Sequence, residues 1–540
     1  MHDPAFEDDE NDPPGSAPPE RVAQAISFAL IGVEARTVAV EVSVTNGYPR
    51  TAIVGMPDLS VRESRERVEA AIKASGLPFP ARRVTINLSP AEIPKEGANF
   101  DLPVALAVLA GQRTFPPDAL EGWAIAGELS LDGAVRPVRG VLAMAVTVSR
   151  CGARRRLMVP IANAAEAAIV EGIETVGVAT LREAVDALKG RTPERRPSVA
   201  PAVEGSTMER AAGGRQPDLA DVRGQSMARR AVEIAVAGGH NILLIGSPGA
   251  GKTLLAQRIP GILPPMTRTE SLETTLVYSA AGQMLRARGL LEARPFRSPH
   301  SSISGAGLVG GGRGPRPGEV SLSHNGVLFL DELPEFAPST LNLLRQPLEE
   351  GRVTIVRAHG GTTFPARFVL VAAMNPCPCG FLGDRRRACS CPPMKVRHYR
   401  SRVSGPLLDR IDLHIEVPRV SLDALSNDAP GESSAAVRER VLAARAVQTH
   451  RFRNFPGIHC NAQMDVRLLT TFASPETKGR GLLRLAAERV GLSGRAYHRI
   501  LRVARTIADM NGDETIQVDH VAEAIQYRVL DRAEQGVPET

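Results

Sequence analysis

Cysteine is sparse in this 540-residue chain and unevenly placed: there are six, and four of them fall between Cys377 and Cys391. A secreted disulfide framework would spread cysteine pairs along a short chain, so that class is excluded and the cluster suggests a metal. Aromatics are also scarce at 4%, with Trp123 the single tryptophan. No eighteen consecutive residues are apolar, which excludes a membrane-spanning helix. A basic secretory leader is missing as well. Residues 1–20 carry seven Asp/Glu and five Pro, which predicts a disordered acidic tail. Together these absences predict a cytoplasmic protein with no membrane attachment.

The remaining composition, 43% hydrophobic and 23% charged, is that of an ordinary globular chain long enough for about three or four domains. A net charge of +6 permits a polyanionic partner, and an arginine-rich solvated surface would give the same figure. Patterning divides the chain into a tail at 1–20, an α/β domain at 21–190 and a Pro/Gly/Arg-rich linker at 191–216. An α/β domain built on a parallel sheet follows at 217–420, then an all-α region at 421–540. In the first domain, Ala39–Val44, Ala52–Gly55, Arg83–Leu88 and Arg156–Val159 read as strands. Ser60–Ala74, Leu102–Ala110, Leu142–Ser149 and Ala164–Glu171 read as helices. Trp123–Glu128 and Val135–Val138 read as a hairpin turning at Asp132-Gly133.

The chemistry concentrates in the second domain. Gly246-Ser247-Pro248-Gly249-Ala250-Gly251-Lys252-Thr253 follows an apolar strand at Asn241–Ile245 and opens a helix at Leu254. Glycines at that turn let backbone amides face phosphate oxygens, and the helix start adds partial positive charge. Lys252 is placed to reach the β- and γ-phosphates of ATP, and Thr253 to put its hydroxyl on Mg²⁺. A second apolar strand, Val327–Leu330, ends in Asp331 and Glu332, at the strand end where open α/β sheets bind ligands. Asp331 is the candidate to help hold Mg²⁺ and Glu332 to polarise the attacking water. A third strand, Phe368–Met374, ends in Asn375, which is placed to sense the γ-phosphate.

Phosphoryl transfer spreads charge over the γ-phosphate, so a positioned arginine accelerates it. Arg410, within Leu407-Leu408-Asp409-Arg410-Ile411-Asp412, is the candidate finger for a neighbouring subunit. A surface arginine paired with Asp409 or Asp412 would look the same. Arg495, at the start of a helix, is the candidate second sensor, with Arg499 and Arg502 on neighbouring faces. Arg352–Arg357, a turn at 358–361 and Thr362–Phe364 form a hairpin whose Arg357 and His359 could contact DNA phosphates; a solvated hairpin is the alternative. Cys377-Pro378-Cys379 and Cys389-Ser390-Cys391 bracket nine residues. Two such pairs can supply Zn²⁺ with four thiolates, the alternatives being reduced thiols or a redox pair. Arg385, Arg386 and Arg387 lie between the pairs, in a basic stretch that continues to Arg402 and suits a phosphate backbone or a solvated face.

These signals in this order resemble the AAA+ ATPases, in the magnesium-chelatase-like branch and within it the ComM/YifB family. The resemblance is carried also by Gly55-Met56-Pro57-Asp58, Arg294–Ser304, Gly307–Gly312 and Asn375–Gly380, and spans nearly all of 21–528. It implies a homo-hexameric ATPase with a helical lid and pore-facing hairpins. In ComM-like members it implies a helicase for branch migration during natural transformation, acting on single-stranded or branched DNA. Residues 21–190 resemble the S5-type α/β domain of Lon proteases through Pro94-Lys95-Glu96-Gly97 and Gly127–Val138. Asn99 and Leu142 stand where that family's serine and lysine align. A Ser–Lys dyad needs both groups, so no peptidase is expected. The competing reading is a chelatase-type or protein-remodelling ATPase that does not act on DNA.

Overall fold

A computed structural model describes residues 22–152, 156–191, 217–284, 289–312, 314–357, 360–384, 386–420, 431–528 and 530. The expected tail, most of the expected linker, His359 and Arg385 lie outside them. Two compact units result, one up to residue 198 and one holding the remainder together with the short segments 30–34 and 139–143. Among the described residues, no helix is long and apolar enough to cross a membrane.

The first unit is built on a seven-stranded mixed sheet. Its strand order is Arg50–Val54, Arg83–Ser89, Glu34–Thr45, Ala23–Ile31, Trp123–Ile125, Arg156–Pro160 and Glu174–Val178. Val38, Val40 and Val42 alternate inward on one strand, as do Val84, Ile86 and Leu88 on its antiparallel neighbour. The helix Asp101–Gly111 is apolar all round because Leu102 through Ala110 are all buried. Its first residue, Asp101, is a fully buried carboxylate bonded to Ser64 and to Arg67 Nε at 2.8 Å.

One expectation needs correction. Trp123–Ile125 is not a hairpin arm but joins the main sheet, parallel to Arg156–Pro160. The turn at Asp132-Gly133 instead joins a two-residue ladder between Glu128–Leu129 and Val135–Arg136. The helix expected at 164–171 also stops at Ala167.

In the second unit five parallel strands run in the order Phe296–Arg297, Val327–Leu330, Val369–Met374, Ile242–Ile245, Leu413–Glu416. The central strands read as unbroken apolar runs because both sheet faces are covered, and successive side chains feed different cores. Ile242, Leu244, Phe329, Val371, Ala373 and Leu413 enter a core with the helices Ser226–Gly238, Ser434–Phe452 and Gly494–Asn511. Leu243, Ile245, Leu328, Leu330, Leu370 and Ala372 enter the opposite one with Phe336, Leu341 and Leu407. The C-terminal helices thus share a core with the sheet. Their ends are set locally: Ser433 and Ser493 cap by accepting from Ala436 and Ala496 amides, and Gly512 closes the 494–511 helix in the left-handed region.

His240 and His414 of this unit are fully buried. Burial, partly offset by Asp412, lowers His240 to about 4; burial together with Arg528 lowers His414 to about 3. Both stay neutral in the folded protein, whereas the unfolded chain takes up protons below about 6.5. The unfolded state therefore binds more protons between about pH 6.5 and 4, and stability falls as pH drops through that window. Urea titrations should show a near-flat unfolding free energy above pH 7 and a decline below 6.5. His414→Gln should reduce the slope by up to about 1.4 kcal/mol per pH unit.

Candidate functional site

The strand Ile242–Ile245 ends at Gly246, whose approach to the next strand leaves no room for a side chain. A Cβ there would fall well inside contact distance of the Val417 carbonyl oxygen. The loop then turns through Gly249 (φ +75°) and Gly251 (φ +92°), conformations that favour glycine, and the helix Lys252–Ile262 begins. Lys252 folds back over the loop. Its Nζ donates to the carbonyls of Gly246 (2.6 Å) and Ser247 (3.2 Å) and to Asn375 Oδ1 (3.0 Å). Burial lowers its pKa, and the Asp331 and Glu332 carboxylates oppose that shift.

Strand order explains these meetings. The strand ending in Asn375 lies between the phosphate-loop strand and the acidic strand, with Ile245 opposite Met374 and Leu330 opposite Ala372. Lys252, Asn375, Asp331 and Glu332 therefore gather at one edge of the sheet, the carboxyl edge of its strands. Thr253 Oγ1 donates to Asp331 Oδ2 at 2.7 Å. That separation is close to the edge of an octahedral magnesium shell, about 2.9 Å for bonds of about 2.1 Å. Glu332 is exposed and adopts φ +52°, outside the range most side chains choose. A strain of roughly 1 kcal/mol at such a residue is characteristic of functional positions.

Arg410 is buried, donating to Pro406 O at 2.5 Å and pairing with Glu349 rather than Asp409 or Asp412. Glu349 lies in the helix Arg345–Glu350, which Gly351 ends just before the hairpin. Its pKa is lowered by Arg410 first, and Arg495 also contributes. Arg495 itself is exposed at the start of the 494–511 helix. Arg499 pairs with the buried Asp412, and Arg502 donates to Met464 O at 2.7 Å.

Asn241 and Glu349 were not foreseen. Asn241 accepts from Leu370 N (2.8 Å) and donates to Arg410 O (3.0 Å), tying three segments together. Its only sequence signal was its place before an apolar strand.

The hairpin pairs Arg352–Arg357 with Gly360–Pro365 antiparallel, Arg357 opposite Gly360. Val353 and Phe364 are buried at its base, while Val356 is 78% exposed near the tip. Arg294 and Arg297 are engaged with Glu270 and Glu319 through paired hydrogen bonds of 3.0 and 2.7 Å.

Sγ atoms of Cys377, Cys379, Cys389 and Cys391 lie within 4.8 Å of one another. Three of the separations are 3.4, 3.6 and 3.6 Å, near the roughly 3.8 Å edge of a tetrahedron with zinc–sulfur bonds of about 2.3 Å. Amides of Phe381 and Ser390 pull the Cys379 thiol down to about 6, while burial and the neighbouring sulfurs, against backbone amides that lower them, raise Cys389 and Cys391. The residues present fit a tetrathiolate cation. Arg386 and Arg387 are exposed beside them, with the Arg387 guanidinium 4.2 Å above the Phe381 ring. Asn99 Nδ2 donates to Phe28 O at 2.7 Å, and Leu142 is fully buried.

Against known proteins, the families described as magnesium chelatase subunit ChlI match residues 40–163 and 218–425, and the ChlI C-terminal family matches 431–528. Competence protein ComM of Haemophilus influenzae is 43% identical over 508 residues, covering 94% of this chain and 97% of its own. YifB of Escherichia coli is 43% identical over 510 residues, 93% and 96% of the two chains. The chain belongs to the ComM/YifB family. A weaker similarity, 29% over 146 residues and 26% of each chain, links it to Lon protease 2 of Bacillus subtilis. A ComM/YifB chain of this kind is a magnesium-chelatase-like AAA+ protein with a Lon-like N-terminal region. Membership in that family implies ATPase activity.

Gly246→Ala tests the close approach at the phosphate loop. It should lower the thermal midpoint and weaken binding of a fluorescent ATP analogue at least about tenfold, a loss of about 1.4 kcal/mol read by anisotropy.

Proposed function

We propose that this chain is an ATP-hydrolysing ring motor that moves DNA in the cytoplasm, with branch migration during recombination of incoming strands as its task. The observation that carries the ATPase part is the meeting of Lys252, Asn375, Glu332 and the Thr253–Asp331 pair at one sheet edge. In this reading residues 246–253 cradle the phosphates, and Thr253 with Asp331 holds Mg²⁺, which would neutralise phosphate charge. Glu332 orients and deprotonates the attacking water, and Asn375 senses the γ-phosphate. Arg410 serves a neighbouring subunit of a homo-hexamer, which requires its Glu349 contact to be exchanged for phosphate on assembly. Arg495 approaches the nucleotide from the helical region. The four cysteines hold a structural Zn²⁺.

DNA as the moved polymer is supported by the hairpin with Val356 exposed on it and by exposed Arg386 and Arg387. Arg357, His359 and Arg385 belong to the same proposed contacts. No peptidase step is proposed, since the side chains at 99 and 142 carry neither a hydroxyl nor an amine of lysine type.

ATP hydrolysis measured alone and with single-stranded, duplex and four-way-junction DNA, at two salt concentrations, tests the proposal. Several-fold stimulation that weakens with salt is expected, because phosphate contacts release counterions. A normal basal rate with no response to any DNA would leave a chelatase-type or protein-remodelling ATPase. Glu332→Gln should keep nucleotide affinity and lower kcat at least about 100-fold. Arg410→Ala should lower it by about 1,000-fold in the assembled ring.

A further inference from the structure

The four-cysteine loop does not stand apart from the nucleotide site. It begins at Asn375, which accepts a hydrogen bond from Lys252, and turns at Gly380, whose amide donates to Cys377 O at 2.9 Å. Gly380 is buried with φ +84°, and a Cβ added there would lie 2.5 Å from Cδ and 2.7 Å from Cγ of Pro248. Backbone of the cysteine loop therefore rests directly on the proline ring of the phosphate loop. Further along, Asp384 Oδ1 accepts from the amides of Arg386 (2.8 Å) and Arg387 (3.1 Å). The Arg386 amide first, and then the Ser247 hydroxyl, hold that carboxyl below the usual range. Its Oδ2 is buried without a fully aligned partner, so the link to Ser247 is close proximity rather than an ideal hydrogen bond.

Few apolar side chains bury this loop. Leu382, Gly383, Arg386, Arg387, Ala388 and Ser390 are exposed, and Pro376, Cys377 and Gly380 are its buried points. A loop with so few apolar contacts is ordered mainly by whatever joins its four sulfurs, and metal binding is then ordering free energy.

We propose that the four-cysteine loop is a metal-held brace for the phosphate loop, so that affinity for a nucleoside triphosphate depends on a zinc-class cation at Cys377, Cys379, Cys389 and Cys391. The proposal rests on the ATP and zinc readings above and adds the coupling between them. Once the thiolates are no longer joined, Gly380 is free to leave Pro248, and the loop that must hold its amides inward loses its outer wall.

The experiment uses the full chain, purified reduced, with zinc content read by plasma mass spectrometry and binding of a fluorescent ATP analogue read in Mg²⁺. About one zinc per chain is expected. Stripping it with a chelator, followed by Mg²⁺ replacement, should weaken the analogue about fivefold or more, and added zinc should restore binding. Circular dichroism checks that the stripped chain stays folded. Gly380→Ala, which leaves all four ligands in place, should keep its zinc and still bind the analogue more weakly. Unchanged affinity in the zinc-free chain, or in Gly380→Ala, would overturn the brace while leaving the zinc reading intact. A chain that takes up no zinc overturns both, and a zinc-loaded chain that binds no analogue overturns the ATP reading itself.

Discussion

The nucleotide site depends on the register of three adjacent parallel strands. Ile245 lies opposite Met374, and Leu330 opposite Ala372, so the residues that follow each strand emerge at the same edge. Because side chains alternate, a slip of one residue would exchange the two cores. Leu243 and Ile245 would be driven among the helices, and Ile242 and Leu244 away from them. The two cores thus fix the register, and the register brings Lys252 to Asn375 and Thr253 to Asp331. Gly246 adds a second lock. Its lack of a side chain lets Val417 N reach Ile245 O at 2.7 Å, which keeps the last strand against the phosphate-loop strand.

Charges taken out of water around this frame are paired, as burial demands. Asp412, fully buried, is held ionised against burial by Arg499 and the Asn241 amide. The same short segment carries Arg410, so the ion pair that anchors Asp412 also sets where Arg410 begins. Arg410 then reaches Glu349, next to the base of the hairpin. One carboxylate is in this way the partner of the candidate finger, within the field of Arg495, and part of the helix that leads into the strand at Arg352. Gly351 joins that helix to the hairpin, and Glu350 also accepts from Arg352 Nε at 3.2 Å. That gives the proposed hydrolysis and the proposed hairpin motion a short mechanical connection.

How far the sequence could be read follows from how local each feature is. The glycine-rich loop occupies eight consecutive residues and the cysteines two close pairs, so both were legible as local motifs without a fold. Asp331, Glu332 and Asn375 were legible as strand ends, but not their order: the Asn375 strand intervenes between the other two, and nothing local encodes that. Arg410 was legible as a residue and its partner was not, because Glu349 lies 61 positions away. The strand Ala23–Ile31 was missed because its alanines and serine blur the alternation, although it sits inside the first sheet. Trp123–Ile125 misled for the opposite reason. A nearby Asp-Gly turn suggested a local partner, and the buried Trp-Ala-Ile run found a more apolar one in Leu157 and Met158.

Basic residue counts are a weak guide to where a polyanion would bind here. The chain has 65 Lys/Arg against 59 Asp/Glu, and many of the arginines in its motifs face inward. Arg294, Arg297, Arg410, Arg499 and Arg505 are all committed to carboxylates, at sites where release would strand a buried charge. Contact with an external polyanion must therefore come from the basic residues that remain in solvent, and among the described residues several of these cluster beside the cysteine loop. Arg386, Arg387, Lys395 and Arg397 are exposed there, on and just after the segment that rests on Pro248. Exposed cations on an element that also touches the phosphate loop link two events that composition alone would keep separate. The proposed polyanion contact and the proposed nucleotide retention would act on the same short piece of backbone.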